Sequence, residues 1–491
     1  MLFNSYIFIL AFFPVVLIGY FGFNRFGKYT AAKVFLVLAS LFFYGYFNRW
    51  YLLIIVSSVT LNYAFSKIML DGRTGTGARR LAFAAALTVN VGSLFFFKYF
   101  DFFIGNVNAV FGTDWPLLHI LLPLGISFFT FQQLSYVIDS YRRDEKISAY
   151  RFLDYALFVT YFPQLIAGPI VTHDEMVPQF ADPGRKSFNA ENFAAGLYGF
   201  ALGLGKKVIV ADTFGLLVDA GFEKLSALGP VNAFLVMLAY TFQIYFDFSG
   251  YCDMAIGIGK MMNIDVTVNF NSPYRAVNII DFWKRWHITL TRFFTKYVYI
   301  PLGGNRKGEA RTYVNILIVF LVSGVWHGAN WTFIVWGLLH GLAQVLTRAV
   351  DRATGIWSKR KSRIITVVSW LFTFAFLNLT WVIFRADSLS QARDFYLQFF
   401  NFSDHMSGTR LLESMVSGGF EFAGKLLPVS AVVFPVGLFV FAFAASVFMK
   451  NAGERTARFR PGVGKSVFTA ATLFWCVMSL TGVSAFLYWN F

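Results

Sequence analysis

The sequence predicts an all-α polytopic membrane protein with about twelve membrane-crossing helices, accompanied by re-entrant or interfacial helices. Three observations carry this. Of 491 residues, 57% are hydrophobic and only 14% charged, where a soluble globular domain carries about 25% charged residues. Aromatic residues supply 20% of the chain, and Phe alone 62 positions, more apolar surface than one water-facing shell can hide. Uncharged runs long enough to cross a hydrocarbon core of ~30 Å, about 17 to 25 residues, recur from one end to the other. The same composition excludes disordered, collagen-like, coiled-coil and disulfide-stapled classes.

The charges order these runs. Lys plus Arg number 42 and Asp plus Glu 26, a net charge of +16. In a soluble chain that excess suggests nucleic acid. Here the bases fall between apolar runs, as the positive-inside rule requires, and no nucleic-acid partner is expected. The run 3–23 is followed by Arg25, Lys28 and Lys33, which places the amino terminus outside. No base precedes this run, so it does not read as a cleavable signal. Residues 34–47 return outward and are short for a span. Residues 50–66 go in and end at Lys67, 81–97 lead out, and 115–138 come in to Arg142 and Arg143. Towards the carboxyl end, Arg348, Arg352, Lys359, Arg360, Lys361 and Arg363 mark an inner loop. Residues 364–384 exit to an outer loop, 385–425. Two C-terminal spans fill 426–491 around the inner cluster Lys450, Arg455, Arg458, Arg460 and Lys465. Both termini then lie outside.

The middle breaks the alternation. Between the inner positions Arg151 and Arg311 the number of crossings must be even, yet three apolar regions occur: 155–172, 192–222 (with Lys206 and Lys207 inside it) and 225–262. One must dip and return or break in mid-membrane, which is tolerated only inside protein or along a wet cavity. A central cavity is therefore expected, with Gly250 marking a break. No transporter-type repeat and no linker is apparent, so residues 1–491 read as one domain.

Ionisable residues inside spans are costly and therefore candidates for function. Asp247 and Asp253 lie beside Gln243, Tyr245 and Ser249. Either they form a hydrogen-bonded packing cluster, or Asp247, Tyr245 and Gln243 line the cavity. In 278–297 the residues Phe282, Trp283, Trp286, Leu290, Phe293, Phe294 and Tyr297 recur at helical spacing. Lys284, Arg285, His287, Arg292 and Lys296 take the other face, predicting a helix in the inner interface. A histidine on such a face is usually only solvated. The run 313–347 lacks Asp, Glu, Lys and Arg and fits two spans joined at Gly328-Ala329-Asn330. His327 then sits within the membrane beside Trp326. It is either a core hydrogen-bonding group or a general base, the usual role of imidazole near neutral pH. Trp326 and Asn330 join the cavity candidates, and His340 reads as a packing residue. No HExxH, GxSxG or P-loop occurs, and no metal site is expected. Cys252 and Cys476 make neither a disulfide framework nor a CxxC pair. His119, His405 and His173-Asp174-Glu175 carry no pattern.

Residues 282–290 (FWKRWHITL), 301–305 (PLGGN) and 323–328 (SGVWHG) resemble the membrane-bound O-acyltransferases. So do 122–132 (LPLGISFFTFQ), 161–169 (YFPQLIAGP) and 245–251 (YFDFSGY). The nearest branch looks like the one serving alginate O-acetylation; others serve peptidoglycan, cellulose and teichoic acid. The resemblance implies a core of catalytic motifs over 122–347 and a ring of helices around a funnel or tunnel with re-entrant segments. It implies His327 as the catalytic residue. His287 takes a second polar position that is Asn in many eukaryotic members. It further implies a cytoplasmic thioester donor, acetyl-CoA or an acylated carrier protein, with no tightly bound cofactor. Lys284, Arg285 and Arg292 would lie on the donor side, where their charge suits the phosphates of coenzyme A. A periplasmic esterase-type Ser-His-Asp partner would finish transfer to an exopolysaccharide, alginate or similar, with peptidoglycan the alternative. The location implied is a bacterial inner membrane with both termini periplasmic. A thioester needs a base or nucleophile in a dry, oriented site, and His327 could be the base or carry the acyl group itself. A transporter that uses the cavity, or a scaffold, remains the competing reading of the residues.

Overall fold

In the computed structural model the chain is built from helices, with no strand among the described residues, which are 1–358, 362–402, 408–419, 432–480 and 486–487. Among them, seven helices are long and apolar enough to cross a membrane. They are Phe8–Arg25, Tyr51–Leu70, Thr76–Phe111, Pro230–Met261, Glu309–His327, Trp331–Thr354 and Arg363–Arg385. Tyr29–Gly45, Val433–Val447 and Val463–Met478 are apolar but shorter. Large apolar side chains such as Ile18, Leu81, Ile364 and Phe372 stay exposed on these helices, as a lipid-facing surface requires. The expected outer loop 385–425 contains helices Leu389–Leu397 and Gly408–Gly419. Residues 359–361, 403–407, 420–431, 481–485 and 488–491, including His405 and parts of the two C-terminal spans, lie outside the described residues.

Three sequence expectations need correction. The span expected over 115–138 is helical only from Ile126 to Arg142. Pro116 and Pro123 lack the amide a helix needs, and Gly125 enters the helix from a left-handed conformation, φ 70°. Gly250 does not break its helix, since Pro230–Met261 runs through it. Instead it lets helices touch: a Cβ there would lie 2.8 Å from the Gly203 carbonyl oxygen. The segment 278–297 is not one helix. Ile279–Trp283 and Ile288–Phe294 are separate, and His287 between them is left-handed at φ 45°. Of the three apolar regions in the middle, 155–172 is interrupted: Phe152–Thr160 and Phe162–Leu165 are two short, largely buried helices followed by non-helical residues.

The chain divides into two compact units, residues 1–197 with 255–267, and residues 198–254 with 268–491. In the first, several buried and half-buried polar side chains are matched in pairs. The amides of Asn62 and Asn90 bond each other, at 2.6 Å for the shorter contact. Lys33 meets Asp154 at 2.5 Å. His173 bridges Asp139 (3.3 Å) and the Tyr150 hydroxyl (3.1 Å). The motifs at 122–132 and 161–169 belong to this unit. In the second unit, residues 198–205, the end of helix Ala190–Gly205, continue through a π turn, Lys206–Ala211, into Asp212–Glu223. The turn sets two lysines against the neighbouring helix. Lys206 reaches Asp253 at 2.6 Å, and Lys207 reaches Asp247 at 2.7 Å and Asp212 at 2.8 Å. Each buried charge thus has an opposite one, which offsets its desolvation.

Candidate active site

Helices Glu309–His327 and Trp331–Thr354 form an antiparallel hairpin whose spacing is set by glycine. A Cβ on Gly324 would stand 2.4 Å from the Phe333 carbonyl oxygen, and one on Gly337 would stand 2.4 Å from that of Phe320. Only hydrogen fits at either place, and small residues four apart are what lets membrane helices approach this closely. Both helices carry the pattern, in Gly324–Gly328 and Gly337–Gly341, each with a histidine just before the second glycine. Asn330 begins the second helix by accepting from the Thr332 amide at 3.1 Å, and donates to the Asp387 carbonyl at 2.8 Å. At the far end Arg352 pairs with Glu309.

His327 ends the first helix of this hairpin and is buried. Its Nδ1 lies 2.6 Å from the Ser323 carbonyl oxygen. A carbonyl only accepts, so Nδ1 carries the proton and Nε2 is the basic nitrogen. The ring is enclosed by Trp336 at 4.9 Å, Trp326 at 5.0 Å and Phe384 at 5.5 Å between centroids.

His287 is wholly buried, contrary to the solvated face expected for it. The left-handed turn at this residue rotates the ring inward, where Nδ1 lies 3.2 Å from Asn269 Oδ1. That oxygen also accepts from the Thr289 amide at 3.1 Å and its hydroxyl at 2.9 Å. The backbone donor identifies it as the amide oxygen, so His287 also holds its proton on Nδ1 and presents Nε2 as the base. Burial holds this imidazole well below the usual histidine range, and His327 adds a smaller push in the same direction. The Trp326 ring contacts both histidines, 6.1 Å from His287 and 5.0 Å from His327 between centroids. Phe248 closes the other side of His287 at 4.8 Å.

His340 differs in kind. Its Nδ1 accepts from the Trp283 indole at 3.3 Å, and its Nε2 faces the Thr380 hydroxyl at 3.1 Å. Both nitrogens are used within the core, as a packing role predicts.

A cavity of about 210 Å³ runs beside the hairpin, with Ser323 towards the His327 end and Gln344 and Arg348 towards the other. Trp283, Leu290 and Phe320 wall it. Neither His287 nor His327 lines it, but the Ser323 carbonyl that holds His327 belongs to a lining residue. Of the expected donor-side cations, Lys284 and Arg292 are exposed, and Arg285 is held by Asp281 at 2.8 Å. Arg348, read from the sequence only as a loop marker, is the cation at this cavity. Of the expected cavity residues, Trp326 joins the histidines. Asp247 is engaged by Lys207, Gln243 packs over Gly215, and Asn330 serves as the helix cap. Tyr245 lines a second cavity. Asn269 escaped the sequence reading. Its only signal is a turn-forming cluster, Asn269-Phe270-Asn271-Ser272-Pro273, ahead of the aromatic segment.

The profile of the membrane-bound O-acyltransferase family matches residues 141–384, which takes in both histidines. A "Peptidoglycan O-acetyltransferase" of Helicobacter pylori is 47% identical over 80% of this chain and 78% of its own length. A "Probable alginate O-acetylase AlgI" of Pseudomonas aeruginosa is 38% identical over 82% of this chain and 75% of its own. A "Teichoic acid D-alanyltransferase" of Bacillus subtilis is more distant, 26% identical over 55% of this chain. With this degree of identity along most of both chains, the protein belongs to the membrane-bound O-acyltransferase family and is an acyltransferase.

Proposed function

We propose that this enzyme takes an acetyl group from a cytoplasmic thioester and delivers it for O-acetylation of a polysaccharide outside a bacterial inner membrane. The observation that carries the reading is the pair of buried imidazoles that share contact with Trp326, each anchored through Nδ1 with Nε2 as its basic nitrogen. His327 is the general base. Its Nε2 takes the proton of an acceptor hydroxyl as that oxygen bonds to the thioester carbonyl carbon. The carbon–sulfur bond breaks and the thiolate takes the proton back, so the cycle closes without a metal. His287 holds the reacting group by a hydrogen bond. The alternative, an acyl group carried on His327 itself, needs two such transfers.

The donor, acetyl-CoA or an acylated carrier protein, approaches along the cavity from Arg348 towards Ser323, with Lys284, Arg285 and Arg292 on the same side. The three shorter apolar helices, the helix Ile126–Arg142 and the run of Ala190–Gly205 through the π turn into Asp212–Glu223, added to the seven, make about twelve crossings around a funnel. Both termini then face the periplasm, where an esterase-type partner completes the transfer. The 47% identity to a peptidoglycan O-acetyltransferase favours peptidoglycan as the acceptor over alginate, to whose acetylase the identity is 38%.

The test is His327→Ala in a cell lacking the native copy, with ester-linked acetate measured separately in peptidoglycan and in exopolysaccharide. Loss of a general base costs about 10²–10⁴-fold, so ester content should fall to background while the protein inserts normally. Retained esters would refute the assignment of His327. Loss from exopolysaccharide alone would restore alginate or a similar polymer as the acceptor.

A further inference from the structure

The second cavity has no part in this chemistry. It is a cleft of about 210 Å³ bounded by the π turn at Lys206, the middle of Pro230–Met261, and the two C-terminal helices Val433–Val447 and Val463–Met478. Its walls are apolar, with Ile209, Phe246 and Ala445 inside and the exposed rings of Phe441 and Phe468 at its mouth. One end is different. Lys450 and Arg455 line it there, and among the described residues neither makes an ion pair. Arg455 is half-buried and donates Nε–H to the Lys450 carbonyl at 3.1 Å, which holds the two residues together. Lys206, which also lines the cleft, has its charge met by Asp253.

An apolar slot between membrane helices that ends in two cations without an ion pair among the described residues fits an amphiphile with an apolar tail and an anionic head. We propose that the cleft binds an anionic phospholipid, one acyl chain along Ile209, Phe246 and Ala445 and the headgroup phosphate at Lys450 and Arg455. Basic pockets between membrane helices select anionic headgroups for this reason. The site does not depend on the acyl-transfer reading, and its readout is lipid, not ester.

The full-length protein, delipidated in detergent, is titrated with phosphatidylglycerol vesicles and with phosphatidylcholine vesicles of the same chains, scoring bound lipid per protein. Phosphatidylglycerol should bind more tightly. Lys450→Ala and Arg455→Ala should each weaken that binding about five-fold, and leave phosphatidylcholine unaffected, as expected for about 1 kcal/mol per basic residue at an anionic surface. Ala445→Trp, which fills the slot and leaves both cations in place, should abolish the preference while thermal unfolding stays unchanged. Equal affinity for the two lipids, or an undiminished preference in Ala445→Trp, would overturn the proposal. Competition by coenzyme A at equal phosphate concentration would also overturn it, by assigning the cations to the donor.

Discussion

His287 meets two demands that few side chains meet together: a left-handed backbone, φ 45° and ψ 52°, and a ring nitrogen that donates to Asn269. Non-glycine residues adopt this conformation rarely, and Asn is among the least penalised. Asn also keeps an N–H for Asn269 and an oxygen in place of Nε2. His287→Asn should therefore retain activity within about ten-fold. His287→Leu should lose at least about 10²-fold and lower the unfolding temperature, because it strains the turn and strips Asn269 of a donor at a cost of about 1–3 kcal/mol. Equal losses in both variants, measured as acetyl transfer by purified protein, would remove the hydrogen-bonding role. Asn269 gives a second test through pH. In the wild type, burial and His327 keep His287 neutral well below the ordinary histidine range, so it adds no limb to the pH–rate profile between about pH 5 and 8. Asn269→Asp places a carboxylate on Nδ1–H and raises the imidazole pKa. Activity should then fall as pH drops through that raised value, whereas Asn269→Ala should lose activity at every pH. A profile for Asn269→Asp with the wild-type shape would show that Asn269 does not govern His287.

The element that matters most is the hairpin carrying His327, and its geometry rests on hydrogen atoms at Gly324 and Gly337. Gly324→Ala drives a methyl to 2.4 Å from the Phe333 carbonyl oxygen, and overpacking of this kind costs about 1–3 kcal/mol. A shift of the helix end by about 1 Å can also cost about 10²-fold in rate. The expected outcome is a lower unfolding temperature together with a larger fall in acetyl transfer. Gly22→Ala, where an added Cβ meets nothing within 4 Å, should leave both unchanged. Equal behaviour of the two variants would sink the close-contact argument. The hairpin was legible in the sequence because an uncharged run of that length must fold back on itself, and its turn falls at Gly328-Ala329-Asn330 as the spacing predicts. The segment 278–297 was misread because helical periodicity takes no account of one residue with positive φ. The left-handed residue breaks the helix and turns His287 inward, while the apolar positions beyond it, Leu290, Phe293, Phe294 and Tyr297, are buried and Arg292 is exposed as the spacing expects.

For the whole molecule, a cytoplasmic donor requires that the segment 284–311 face the cytoplasm. Gly304 is an unsuitable probe position, buried and left-handed at φ 55°, with its carbonyl accepting from Asn315 at 2.9 Å. Asn305, next to it, is exposed. Asp404, in the expected outer loop, lies outside the described residues, and Ser390 in the same loop is exposed. With the buried Cys252 and Cys476 replaced, Asn305→Cys should react with a membrane-impermeant thiol reagent only after the cytoplasmic face is opened. Ser390→Cys should react in intact spheroplasts. The reverse pattern would invert the topology and exclude a cytoplasmic thioester arriving at 284–311. Charge asymmetry across apolar runs made this whole-chain expectation possible, since each run is too apolar to stay in water and each base too costly to cross.

Composition, run length and charge placement are local quantities, and by themselves they determined that the chain is helical, membrane-embedded and contains a hairpin bearing His327. The family likeness was also legible, in short motifs whose residues are contiguous. The company each polar group keeps was decided only by the tertiary structure. Asn269 turns His287 inward, Lys207 claims Asp247, and Arg348 reaches the cavity that Lys284 and Arg292 do not line. Those pairings join residues up to dozens of positions apart, and no periodicity records them. Burial in a low-dielectric interior makes an unmatched hydrogen bond or charge expensive, so the fold settles each polar side chain by its partner in space, which the order of residues along the chain does not disclose.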